Sequence, residues 1–184
     1  TMVYAGMVFS AMETDFFPRL SAVHNDWRLS NEIVNKQVEV SLLLISPMLV
    51  LAQFALPFAV PLLLSAKFLP IVDMMRLLLL ALYLRAVKLP VAYLPLAKGD
   101  ALSYLLLEGL YDVAVVIFVL LGYTHFGLFG TGMALLFVAL LDYVLIIGYT
   151  YFRYHYRVTS SVAGYMLLHY ALGIAAFAVA MFSD

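Results

Sequence analysis

Long apolar stretches divided by short polar ones dominate the chain. Residues 40–66 carry no Asp, Glu, Lys or Arg, and neither do residues 113–141. A helix crossing about 30 Å of hydrocarbon at 1.5 Å per residue needs roughly 20 apolar residues. Residues 40–66 therefore predict one span, in which Pro47, Pro57 and Pro61 need neighbouring helices or a cavity to satisfy the carbonyls they free. Residues 70–97 predict a second, interrupted by Arg85, Lys88, Pro90 and Pro95. The middle of 113–141 is dense in turn formers, from Gly122 through Gly127, Gly130 and Gly132, so it predicts the meeting of two spans, at 103–122 and 127–151. Residues 161–182, with His169 as the one titratable group apart from tyrosines, predict the last.

Residues 2–12 are apolar but too short to cross, and lack the charged n-region and small-residue cleavage site of a signal peptide. They read as part of a helix already under way, giving a partial span at about 1–17. Residues 18–39, with Leu20, Val23 and Trp27 on one helical side, read as an amphipathic link at the membrane interface, Trp27 its anchor. The predicted fold is all-α, a polytopic transmembrane bundle of one partial and five complete spans. Barrel strands are excluded, because the runs are continuously apolar rather than alternating.

Composition agrees and removes alternatives. With 66% hydrophobic and 11% charged residues, against about 25% charged in ordinary soluble domains, the chain cannot cover its apolar surface in water. A net charge of −1 supplies no basic field for nucleic acid. The absence of cysteine removes disulfides, thiolate metal sites and thiol nucleophiles together. Arg19, Arg28, Lys36, Lys98, Arg153 and Arg157 fall in alternate connectors, whereas Lys67 and Arg76 flank the opposite side, so the first group is expected to be cytoplasmic.

Inside a membrane the informative residues are ionisable, because a charge at mid-bilayer costs about 2.5–3.5 kcal/mol or more. Five stand out: Arg85, Lys88, Glu108, Asp112 and Asp142. Glu108 and Asp112 are four apart and share a helix face; Arg85 and Lys88, three apart, do likewise. If the turn between their helices centres on Asp100, Lys88 and Asp112 are each twelve residues away and should pair. Counting from a second turn near His125 puts Glu108 and Asp142 at equal depth. Both cations are expected to be sheltered between helices and turned toward these acids. One reading is a purely structural lock; the other is a water-filled route that holds a substrate headgroup or a coupling ion, strengthened by the helix-interrupting Pro90 and Pro95. His24, His125 and His155 fall in connectors and His169 is expected to have a satisfied polar contact. No nucleophile elbow, metal pair or Walker sequence is present, so neither an enzyme nor a cofactor site is expected.

The order of several short segments resembles a known family. Phe16-Phe17-Pro18-Arg19-Leu20-Ser21 closing a helix, a proline-rich span, Lys67-Phe68-Leu69-Pro70, Leu84-Arg85-Ala86-Val87-Lys88-Leu89-Pro90, Leu96-Ala97-Lys98-Gly99-Asp100 and Gly127 to Ala134 resemble the C-terminal half of O-antigen-type polysaccharide flippases. These lipopolysaccharide biosynthesis proteins belong to the multidrug/oligosaccharidyl-lipid/polysaccharide exporter superfamily. The resemblance implies one lobe of a two-lobe transporter in a bacterial inner membrane, its partners being the N-terminal lobe, membrane lipid and a proton or sodium ion. It implies that a polyprenyl-pyrophosphate-linked oligosaccharide moves from inner to outer leaflet by alternating access. Arg85 and Lys88 would bind the pyrophosphate, and Glu108, Asp112 and Asp142 would tune those cations or carry the coupling ion. The rivals are a drug/cation antiporter on the same scaffold and an accessory subunit without a transported substrate.

Overall fold

A computed structural model describes residues 14–182. Among them every regular element is helical: α1 (14–22), α2 (Trp27–Leu63), a 3-10 turn (Ala66–Ile71), α3 (Val72–Ala97), α4 (Ala101–Tyr154) and α5 (Ser160–Phe182). Four helical segments are long and apolar enough to cross a membrane: Trp27–Leu63, Ala66–Ala97, Ala101–Tyr154 and Ser160–Phe182. The expected partial span at 1–17 lies almost wholly outside the described residues.

Residues 18–39 hold the end of α1, a short turn and the start of α2. Asp26 caps α2, its carboxylate accepting from the backbone N–H of Arg28 and Leu29. From Trp27 onward the segment is the first part of a 37-residue helix. Its face of Val34, Asn35 and Val38 is buried, while Trp27 stands half exposed. Asn35 is buried because it braces backbone: its amide nitrogen donates to the Arg157 carbonyl and its oxygen accepts from the Thr159 N–H, at 3.0 Å each.

The 54-residue α4 is a hairpin. Gly127 has φ 60° and ψ −141°, a backbone state open to glycine and costly for other residues. The two limbs run back along each other from there. The rings of Phe118 and Phe137 lie 5.1 Å apart, Tyr149 Oη donates to Ser103 Oγ at 2.6 Å, and Tyr154 Oη to Asp100 at 2.7 Å. Close approach at the tip depends on small residues, since a Cβ on Gly122 or Gly130 would strike the backbone of the opposite limb.

α3 is the central element. It packs against α2, α5 and the hairpin, whereas the hairpin docks on α3 and the 3-10 turn. Tyr83 of α3 donates to the Ser46 carbonyl of α2 at 3.2 Å, and its ring fills the space left by Gly173 of α5. The main core runs through α2, α3 and α5, from Leu42 and Leu49 through Val87 and Val91 to Val162.

Three connectors meet at one end. Lys98 Nζ donates to the His24 carbonyl at 2.7 Å, and Asn31 accepts from the Arg157 N–H. This is the end that carries most of the connector cations. Here too Asp100 caps the hairpin, receiving the Tyr154 hydroxyl and the Ser103 N–H, and these bonds hold its carboxyl below the usual carboxylate range. A depressed folded-state value stabilises the fold above the unfolded value of about 3.9 and is lost as pH falls through the folded one. Asp100→Asn should therefore lower the melting temperature at pH 7, and the gap to wild type should close below about pH 4. A gap that stays constant across thermal scans down to pH 3 would count against the bond.

Candidate functional site

Lys88 lies on α3 between the limbs of the α4 hairpin, with 8% of its side chain exposed. Its Nζ is 2.5 Å from Glu108 Oε1 on the first limb and 3.1 Å from Asp142 Oδ2 on the second. It also sits 5.2 Å from the centre of the Tyr111 ring, within cation–π range. One ammonium thus joins three helical segments inside apolar surroundings. Asp142 is 12% exposed and Glu108 32%, so the layer is sheltered on its Asp142 side and more open beside Glu108.

The expected Lys88–Asp112 pair is not formed. The reason is the turn. α3 ends at Ala97, and Gly99 takes a left-handed conformation, φ 76°, that closes the helix. The reversal therefore centres near Lys98, two residues before Asp100, and the partner of Lys88 moves by one helical turn, from Asp112 to Glu108. Asp112 is exposed and makes no ion pair among the described residues. Glu108 and Asp142 do stand at one level, since both reach the same nitrogen.

Arg85 also departs from expectation. It was to be sheltered and faced by acids; it is exposed and makes no ion pair or hydrogen bond among the described residues, although its charge acts on Tyr111 and Asp142. The two candidate cations have therefore separated: Lys88 is neutralised, Arg85 is available. Counted together, these five residues carry two cations and three carboxylates, so one negative charge is left over.

Other polar residues in the apolar segments escaped the sequence reading. Gln53 and Arg76 are buried, and Gln53 Nε2 donates to the Arg76 carbonyl at 3.2 Å; Arg76 also meets Asp73 at 3.5 Å. Gln53, a lone amide within a charge-free stretch, was the visible signal. Arg76 read as a connector residue because it follows Lys67-Phe68-Leu69-Pro70 closely, yet it belongs to α3. His169 differs from its expected satisfied contact: it is buried and, among the described residues, neither ring nitrogen has a partner. Among the described residues the His24 and His125 rings bond to nearby backbone or to Thr124.

A layer so built can do two things. Arg85 presents a forked donor suited to phosphate oxygens. The Lys88–Glu108–Asp142 cluster holds the hairpin to α3 and keeps a carboxylate in excess of its cation. No protein-family model, curated protein or solved structure matches the chain.

Proposed function

We propose that this chain is one lobe of a transporter that carries a polyprenyl-pyrophosphate-linked oligosaccharide across a bacterial inner membrane by alternating access. In this reading the Gly127 reversal makes α4 two spans, so five complete spans follow the partial one, and the cation-rich end faces the cytoplasm. The observation that carries the proposal is Arg85, which is exposed and makes no ion pair among the described residues, on a span whose neighbouring cation, Lys88, is buried and paired. A charge in that position is costly against acyl chains, which favours a face that borders water or another polar unit. An anionic headgroup is the ligand that matches it. Lys88, already held by two carboxylates, sets the position of the hairpin, and its surplus carboxylate is where a coupling proton or sodium ion would act.

Surface glycan display in cells carrying the full-length protein tests this. One charge-assisted contact is worth about 1.5–3 kcal/mol, so Arg85→Ala should reduce display about 10- to 100-fold, with Arg85→Lys intermediate and membrane levels of the protein unchanged. Display unaltered by Arg85→Ala would remove the headgroup site. The antiporter reading instead places the essential charge on an acid, and exposed Asp112 is the residue that favours it; loss on Asp112→Asn with none on Arg85→Ala would select that alternative.

A further inference from the structure

We propose that Arg157, in the connector between α4 and α5, holds the phosphate headgroup of an anionic phospholipid whose apolar part lies along the last turns of α4. Residues 143–182 contain no Asp or Glu, yet Arg153 closes α4 and Arg157 follows it. Both are exposed, and neither makes an ion pair among the described residues. The stretch is a local excess of positive charge at one end of a span, which attracts anionic lipid.

The local fold fixes where Arg157 stands. His155 ends α4 in a left-handed conformation, φ 57°, and the Tyr156 N–H bonds back to the Thr150 carbonyl. This turn brings the Arg157 guanidinium to 6.0 Å from the centre of the Tyr151 ring, within cation–π range. The Arg157 backbone is braced as well: its N–H donates to Asn31 and its carbonyl accepts from Asn35, at 3.0 Å each. A forked donor on a braced backbone has less to lose in ordering when it takes a phosphate.

Arg157 lines a groove that runs back along α4 past Tyr151 to Gly148 and Ile147. Those three α4 residues share a helix face, and Ile147 lies about 10 Å inside the end of α4 at 1.5 Å per residue. A Cβ on Gly148 would meet nothing within 4 Å, so the groove is open there. The lining thus grades from a cation at the end of the span to hydrocarbon within it, as a phospholipid grades from phosphate to acyl chain. A free anion would use the Arg157 end alone. Phe152, 81% exposed beside Tyr151, adds an aromatic ring at the level where such rings meet headgroups. This site makes no use of Arg85 and stands apart from the transport reading.

Native mass spectrometry of the full chain, released from bilayers of phosphatidylglycerol and phosphatidylcholine in equal amounts, tests it. The lipid that wild type holds most tightly should be phosphatidylglycerol. Arg157→Gln keeps the backbone bonds to Asn31 and Asn35 and should lower that preference about fivefold. Lys36→Gln removes an equal charge from a groove that also carries Glu32 and Glu39, and should bind as wild type. Gly148→Phe, which fills the open part of the groove, should lose retention of either lipid while its melting temperature stays near that of wild type. A preference untouched by Arg157→Gln overturns the proposal. An equal fall in Lys36→Gln would make the attraction a diffuse charge effect and likewise overturn it. Retention unchanged by Gly148→Phe, or lipid displaced by excess inorganic phosphate, would leave an anion site in place of a lipid site and overturn it too.

Discussion

Lys88→Met should be among the most destabilising single substitutions in this chain. Among the described residues Lys88 is the one cation in ion-pair contact with Glu108 and Asp142, and methionine keeps its length and its packing while removing the charge. Two carboxylates would then face each other across the hairpin with no counter-charge in ion-pair contact. Breaking a buried pair by deleting one partner costs about 3–5 kcal/mol, because the survivor keeps its desolvation penalty and loses its compensation. Glu108 is about one-third exposed and can turn toward polar surroundings, so the lower end of that range applies. The second half of the expectation is recovery. Lys88→Met combined with Glu108→Gln and Asp142→Asn replaces three charges with neutral groups of similar volume, and stability should return to within about 1 kcal/mol of wild type. Reversible unfolding in mixed detergent micelles reads both. A triple variant no better than Lys88→Met would show that lost packing, not uncompensated charge, carries the effect.

Why part of this arrangement could be read from sequence and part could not is clearest in the same residues. Helical segments declare themselves because each is a predominantly apolar run long enough to cross the hydrocarbon, and the reversal at Gly127 is announced by the glycines around it. Counting from near His125 put Glu108 and Asp142 at one depth, and both meet one nitrogen, although the reversal itself lies at Gly127. The same counting failed for Lys88 and Asp112. There the left-handed Gly99 moved the turn's centre by two positions and the partner by four. What the polar residues of 27–39 contact was hidden for a different reason. Polar side chains on a helix usually mark solvent, but Asn31 and Asn35 are turned onto the connector that follows the hairpin, more than a hundred residues along the chain. Periodicity contains no information about a partner so distant. Exposure of Arg85 is a third case, since its spacing from Lys88 says that they share a helix face, not how far the hairpin covers that face.

At the hairpin tip, Gly130→Ala should cost about 3 kcal/mol or more, although it adds a single methyl group. An added Cβ there would press on the Gly122 carbonyl and on Cβ of Phe126. Backbone atoms cannot swing aside as the end of a long side chain does, so the limbs must separate or the tip must rearrange, and overpacking of this kind costs about 1–3 kcal/mol and sometimes more. Two other glycines isolate the cause. Gly127→Ala meets nothing within 4 Å, yet its φ of 60° and ψ of −141° impose a backbone strain of about 1–3 kcal/mol. Gly148→Ala, in open space within regular helix, carries neither penalty and should stabilise by up to about 1 kcal/mol through helix propensity. The expected order of stability in detergent unfolding is therefore Gly148→Ala above wild type, then Gly127→Ala, then Gly130→Ala. The same order should appear in the Phe118–Phe137 contact, because parting the limbs at Gly130 pulls on a ring pair now 5.1 Å apart. If Gly130→Ala behaves as Gly148→Ala does, the two limbs do not touch at the tip, and the register that brings Glu108 and Asp142 to Lys88 loses its anchor.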